Sequence, residues 1–253
     1  MLKKVLKYDM IALGKKILPI LGLSLGLSIF TKIMLLLGER FAIFQMAAGI
    51  GSVFAIILIV AAFFYTFIMC IRRFYFHLLK EEGYLTNVLP VSKSVLVNSQ
   101  IIATTIYSFL TIIVMIGSFF IMYYNVELIE SIRVFLESFK TSLFPMALTL
   151  IFGYLNYYYL CTAAIGLGQM CEGKKMNNII MMGVVLYFAS QILSLILMGG
   201  LFIIRPNILN ELELYNAGAM NLIMWFAVVQ TLIINAILHY ISIKSIETKL
   251  DLE

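Results

Sequence analysis

Six long apolar stretches dominate this sequence, and their lengths restrict the possible fold more than any other feature. A helix needs about 20 predominantly apolar residues to cross the hydrocarbon core of a bilayer. We predict such spans near residues 18–37, 47–71, 94–124, 143–170, 177–204 and 217–243. The continuous apolar run at 50–71 lacks the strict alternation of a transmembrane barrel strand, so the sequence predicts an all-α membrane protein with six transmembrane helices.

The segments between the spans are too short to hold a separate domain. With these boundaries the longest segment, residues 72–93, has 22 residues, whereas a domain usually needs about 50. The sequence also lacks a phosphate-binding loop of the form GxxxxGK[ST], because Gly14-Lys15 and Gly173-Lys174 are each followed by lysine. Residues 1–253 are therefore predicted to be one transmembrane domain without a nucleotide-binding site.

Lysine and arginine are unevenly distributed between the two sides of the predicted membrane. If the N-terminus is inside, 13 of the 18 basic residues lie in inner segments, and such an excess marks the cytoplasmic side. We therefore expect a multi-pass protein of the cell membrane with both termini in the cytoplasm. The net charge of +5 then reflects membrane anchoring, and no nucleic acid partner is expected.

Residues 1–16 have the pattern of an amphipathic helix. The leucines of this segment share one half of a helical wheel and most of its lysines share the other, while Asp9 and Lys16 break the pattern. We predict an N-terminal amphipathic interfacial helix on the inner leaflet, with its lysines near anionic headgroups of the lipid bilayer. The alternative is a basic tail that only sets the orientation of the first span.

Few residues within the predicted spans are suited to catalysis, metal binding or ion coupling. The spans contain no Asp or Glu, and ionisable groups inside a membrane usually mark such functions. The one charged residue is Lys32, about 22 Å above the inner edge, from where its long side chain can reach the outer headgroups. We therefore predict no catalytic residue, no metal site and no cofactor bound by this chain.

Neutral polar residues within the spans are candidates for a substrate path. Those that we single out are Asn156, Gln191, Gln230 and Asn235. Such amides could instead hydrogen-bond to neighbouring helices, an interaction that contributes about 0.6–2 kcal/mol. The sequence alone leaves both interpretations open.

The most informative segment lies between the second and third spans, RRFYFHLLKEEGYLTNVLPVSKSVLVNSQ at residues 72–100. A helix can extend from about residue 74 to residue 88, because Pro90 disfavours the helical conformation at Leu89. The apolar side chains of this short helix gather near one face. An exposed apolar face on the cytoplasmic side indicates a protein partner.

Part of this segment, EEGYLTNVLPVS at residues 81–92, resembles the DEGYLxxxLPVS segment of exporter-type (type 2) ABC transporter permeases. The likeness is greatest to the compact six-span permeases of Gram-positive bacteria. A second segment, AIGLGQMCEGKKMNN at residues 164–178, is similar to that family's small-residue GQ segment with a lysine turn. The sequence departs from the family pattern at Asn87, where an aromatic residue is common.

The resemblance implies a cytoplasmic coupling helix, which docks into a cleft on a separate ABC ATPase subunit and transmits its motion to the spans. The docking residues carried over from the motif are Glu81, Glu82, Gly83, Tyr84, Leu85, Val88 and Leu89. A second cytoplasmic contact is expected at Lys174 and Lys175. ATP and Mg²⁺ would be bound by two copies of the ATPase, and a second permease chain, identical or related, would complete the core.

As a whole, the resemblance implies the transmembrane subunit of an ATP-driven exporter for an amphipathic or hydrophobic substrate, such as a peptide, an antimicrobial compound or a lipid. One alternative is a non-transporting membrane scaffold or sensor with the same fold. Another is a membrane enzyme similar to the CAAX proteases, which also carry paired glutamates like Glu81-Glu82. Thr86 stands where their EExxxR motif has arginine, which weakens that alternative.

Overall fold

The computed structural model describes residues 2–38, 40–79, 92–138, 140–172, 174–208 and 217–249. These residues form seven main helices: α1 (Leu2–Gly38), α2 (Ala42–Leu79), α3 (Lys93–Tyr123), α4 (Val126–Ser138), α5 (Leu143–Met170), α6 (Lys175–Ile204) and α7 (Ala217–Lys249). All except α4 are long and apolar enough to cross a membrane. The predicted all-α membrane fold with six spans is confirmed.

The later span boundaries agree closely with the predictions. The candidate spans at Ser94–Tyr123, Leu143–Met170, Lys175–Ile204 and Gly218–Ile246 begin and end within three residues of the predicted positions. Hydropathy locates these boundaries well because polar residues flank each apolar run. The first two candidate spans, Leu2–Gly38 and Ala42–Phe76, are longer than predicted, because each helix continues past its apolar run.

The structure differs from the prediction at the N-terminus, where α1 is a single helix of 37 residues. The sequence predicts an interfacial helix at 1–16 that is separate from the first span. At 1.5 Å per residue α1 is about 55 Å long, whereas the hydrocarbon core is about 30 Å thick. The N-terminal turns therefore extend the first span, and the buried Asp9, only 1% exposed, fixes them against the neighbouring helices.

The helices form two compact units, Met1–Ile132 and Arg133–Glu253. In the N-terminal unit α1 packs against both α2 and α3. It is antiparallel to α2, since Asp9 contacts Arg73 while a Cβ on Gly51 would lie 3.2 Å from the Thr31 hydroxyl. It is parallel to α3, since Asp9 also contacts Ser99 and the Lys32 ammonium donates to the Tyr124 carbonyl over 3.0 Å.

The buried face of α1 explains this close packing. Its buried side chains recur at helical spacing and include Leu13, Ile17, Leu21, Ser24, Ser28 and Thr31. The hydroxyls of Ser24 and Ser28 donate to carbonyls of their own helix over 2.8 Å, so small polar residues lie against the neighbouring helices without an unpaired donor. Small residues at such positions let membrane helices approach each other closely.

In the C-terminal unit α5 packs against both α6 and α7. Its apolar core is built around Ala163, Ile234 and Leu238. Gly168 lies where the α5 and α6 backbones meet, because a Cβ there would be 2.6 Å from the Cα of Ile179. A Cβ on Gly166 would instead collide with the Ser245 side chain of α7. The small residues of the 164–178 segment are therefore explained by helix packing.

Candidate functional site

The residues predicted to dock the ATPase lie outside the described residues: Glu81, Glu82, Gly83, Tyr84, Leu85, Val88 and Leu89. Their flanks are described, since α2 ends at Leu79 and α3 begins at Lys93. Both ends lie on the side of the unit where α1 begins, because α1 is antiparallel to α2 and parallel to α3. The start of α1 therefore lies on the same side of the unit as the two flanks of this segment.

One carboxylate joins the three helices there. The Arg73 side chain donates to Asp9 Oδ1 from Nη2 at 3.2 Å and from Nε at 3.4 Å. The Ser99 hydroxyl donates to Asp9 Oδ2 over 2.8 Å. We call Asp9, Arg73 and Ser99 the Asp9 cluster. It connects the second turn of α1, the last turns of α2 and the first turns of α3.

Burial makes the Asp9 cluster energetically important. The Asp9 side chain is 1% exposed and that of Arg73 is 18% exposed. Removing one partner of a buried ion pair is strongly destabilising, because the other charge is left without compensation. The Tyr107 hydroxyl of α3 adds a second connection by donating to the Met10 carbonyl over 2.7 Å. The three helix ends are thus held in a fixed arrangement.

Sequence reasoning did not find the Asp9 cluster, since Asp9 entered only as a break in an amphipathic pattern. A usable signal was present. Asp9 is the one acidic residue among the five lysines of residues 1–16. A carboxylate on a helix that packs in a membrane protein needs a cationic partner, and Arg72-Arg73 is the nearest arginine pair predicted on the same side.

Three of the four residues predicted for a substrate path form hydrogen bonds between helices of the C-terminal unit. Asn156 Nδ2 donates to Asn235 Oδ1 over 2.9 Å, and Asn235 Nδ2 donates to the Phe152 carbonyl over 3.0 Å. Gln230 Nε2 of α7 donates to the hydroxyl of Ser194 in α6. These contacts match the helix-bonding interpretation that the sequence left open.

Gln191 is the predicted path residue that is set apart from the others. It lies on the exposed side of α6, and the described side chains of that helix include none that is fully buried. The residues of the proposed path therefore do not form one polar cluster. Asn156 and Asn235 connect α5 to α7, Gln230 connects α7 to α6, and Gln191 faces outward.

Lys174 and Lys175 lie at the start of α6, where both residues are exposed. The Lys174 carbonyl accepts from the backbone N–H of Asn178 over 3.2 Å and so begins the helix. The Asn178 side chain donates to the Cys171 and Glu172 carbonyls over 3.3 and 3.1 Å, which closes the preceding turn. The structure thus presents two ammonium groups on a well-bonded turn.

Within the described residues, no three His, Cys, Asp or Glu side chains come together in a way that could hold a metal ion. Comparison of the chain with known proteins finds no matching family model, curated protein or solved structure.

Proposed function

We propose that this chain is the transmembrane subunit of an ATP-driven exporter of the ABC type. Two copies of a separate ATPase subunit bind ATP and Mg²⁺, and this chain moves an amphipathic or hydrophobic substrate, such as a peptide, an antimicrobial compound or a lipid. A second permease chain, identical or related, completes the transport core. Both termini and the 80–91 segment lie in the cytoplasm, and the protein resides in the cell membrane.

The observation that carries this proposal is the EEGYLTNVLPVS motif between the second and third spans. A docking segment transmits force only if its two ends are firmly attached to the helices that must move. The Asp9 cluster supports this requirement, because Arg73 and Ser99 are bonded through one carboxylate to α1. Force applied between the ends of α2 and α3 then acts on three helices together.

The energy source also favours a partner chain. The sequence has no phosphate-binding loop, and the inner parts of its predicted spans carry no carboxylate for proton or sodium coupling. Asp9 does not change this, because it lies about 9 Å before Lys15 along α1, outside the apolar run, and is bonded to Arg73. In the proposed complex, the ATPase subunits supply the energy.

A scaffold or sensor is the second candidate, and one observation favours it. Asn156, Gln230 and Asn235 bond to neighbouring helices and so are not free to contact a substrate. A scaffold needs such bonds for a stable helix arrangement but needs no substrate path. Transport by the reconstituted complex separates the two candidates.

The experiment that tests the proposal uses two substitutions in the docking motif. Tyr84→Ala removes an apolar anchor, and Gly83→Trp places a bulky side chain where a partner backbone is expected to approach closely. In a complex reconstituted with its ATPase, we expect each substitution to lower ATPase binding or transport at least tenfold, while insertion into the membrane and permease dimerisation are retained.

The matched control is Tyr8→Ala, which removes a tyrosine that is 70% exposed near the start of α1. It deletes the same side chain from the side of the membrane that the proposal assigns to the cytoplasm, but outside the motif. We expect this variant to bind ATPase and transport like the unmodified chain. Unchanged binding and transport in both Tyr84→Ala and Gly83→Trp would exclude docking through this segment.

A further inference from the structure

Two open depressions along the exposed side of α1 meet at Pro19 and together form a shallow groove in the N-terminal unit. Its first part has a volume of about 650 Å³ and is lined by Met10, Ile11, Gly14, Lys15, Leu18, Pro19 and Tyr107. Its second part has a volume of about 760 Å³ and is lined by Pro19, Gly22, Leu23, Gly26, Leu27, Phe30 and Leu58. Beside α1, the first part is bounded by Tyr107 of α3 and the second by Leu58 of α2, and the two parts meet at Pro19.

The groove exists because of three residues of α1. Gly22 and Gly26 have no side chains, and nothing lies within 4 Å of where a Cβ would stand at either position. Pro19 has no N–H, so the helical hydrogen bond to the carbonyl of Lys15, four residues earlier, is missing. The middle of the groove is therefore open and apolar. At one end stand the Lys15 ammonium and the Lys15 carbonyl, which lacks its usual helical donor.

The polarity of the groove changes along its length. Lys15 is exposed and, within the described part of the chain, forms no ion pair. From Lys15 to Phe30 the helix rises about 22 Å, and the lining beyond Pro19 is apolar. Lys15 and Lys32 are about 26 Å apart along α1, close to the thickness of the hydrocarbon core. Lys15 therefore lies at the level of the headgroups on one side.

We propose that this groove binds one anionic phospholipid. The phosphate contacts the Lys15 ammonium, and an acyl chain lies over Gly22 and Gly26 as far as Phe30. The proposal rests on the groove alone and holds whether or not the chain is part of an exporter.

A phospholipid suits the groove better than a helix of a second chain does. Gly22 and Gly26 are four residues apart, a spacing that also brings transmembrane helices together. A helix seated there would also have to bring an anionic group to the level of the Lys15 ammonium. A phospholipid has its charge at the headgroup level and is apolar below it, which is the order found along α1.

The test uses the single tryptophan of the chain as a starting point. Trp225→Phe removes it, and Phe30→Trp then puts a fluorescent probe at the apolar end of the groove. The protein is reconstituted in vesicles of equal parts phosphatidylglycerol and phosphatidylcholine, with the acyl chains of one or the other brominated. Since bromine quenches tryptophan fluorescence at short range, the ratio of the two quenching values gives the lipid preference at the groove.

We expect phosphatidylglycerol to be preferred about fivefold, the effect of one favourable charge contact at a membrane surface. Lys15→Gln should remove the preference, so that the ratio of the two quenching values is about 1. The matched control is Lys16→Gln, which removes the same charge from the adjacent residue that does not line the groove, and it should keep the preference. Gly26→Leu should fill the groove and reduce the quenching by brominated phosphatidylglycerol.

Two further variants separate this proposal from general lipid contact. Ile57→Trp places the probe on an exposed position of α2 outside the groove, where we expect no lipid preference. Gly49 is also an open glycine, but it lies in α2. Gly49→Leu should therefore leave the lipid preference measured in the Phe30→Trp variant unchanged. Equal quenching by the two lipids at Phe30→Trp, or an equal loss in Lys15→Gln and Lys16→Gln, would overturn the proposal. Weak quenching by both lipids at Phe30→Trp but not at Ile57→Trp would show that protein occupies the groove.

Discussion

The carboxylate of Asp9 is where the three long helices of the N-terminal unit are bonded together. It is almost fully buried and accepts from Arg73 of α2 and Ser99 of α3. A buried ion pair of this kind owes much of its importance to what happens when one partner is lost. The pair of Arg133 and Glu137 in α4 behaves differently, since both side chains are mostly exposed.

We predict that Asp9→Asn lowers the free energy of unfolding by about 1–3 kcal/mol, because it keeps the shape of the side chain but removes the carboxylate charge that Arg73 contacts. The value is below that of a fully buried pair because Arg73 is 18% exposed. Denaturant titration in mixed micelles measures it. The control Glu137→Gln breaks the exposed pair with Arg133 and should cost no more than about 0.5 kcal/mol. Equal losses in the two variants would contradict the structural role of Asp9.

At the level of the helices, close approach in the C-terminal unit depends on glycine. Gly168 lets the α5 backbone meet the start of α6 at Ile179, and Gly166 lets α5 meet α7 at Ser245. The same two glycines belong to the 164–178 segment that resembles the GQ segment of the permease family. Packing therefore gives a physical reason for small residues at these positions.

We predict that Gly168→Ala destabilises the protein by about 1–3 kcal/mol, because the new Cβ would lie 2.6 Å from the Cα of Ile179 and the helices would have to separate. Thermal unfolding in detergent shows the loss as a lower Tm. Gly153→Ala is the matched control on the same helix, since nothing lies within 4 Å of its Cβ position. A Tm for Gly168→Ala equal to that of the control would show that the two helices are not in close contact.

The helices themselves could be predicted from the sequence because each span is a long apolar run with polar flanks. The continuity of α1 could not, since a helical wheel of residues 1–16 shows amphipathicity but not where a helix ends. Pairs such as Asp9 with Arg73 and Asn156 with Asn235 depend on which helices are neighbours and in what register. Hydropathy carries no information on that register, so the helix-bonding role of the asparagines stayed one of two alternatives.

For the whole molecule, two compact units carry the features that bear on function. The N-terminal unit holds the Asp9 cluster and the groove along α1, and the C-terminal unit holds the exposed Lys174-Lys175 turn. The proposed docking motif at 81–92 was identified by resemblance alone, and the residues expected to dock lie outside the described residues. The proposal of an exporter subunit thus depends on whether an ATPase binds this chain.

Native mass spectrometry of the chain, purified gently from the membranes of the cells that produce it naturally, tests that dependence most directly. We predict a complex of two permease chains, identical or related, with two ATPase subunits. The Tyr84→Ala variant should yield the permease dimer without the ATPase, since the apolar anchor of the docking motif is lost. A stable monomer or dimer that carries no ATPase, from membranes in which the unmodified chain is intact, would contradict the proposed function.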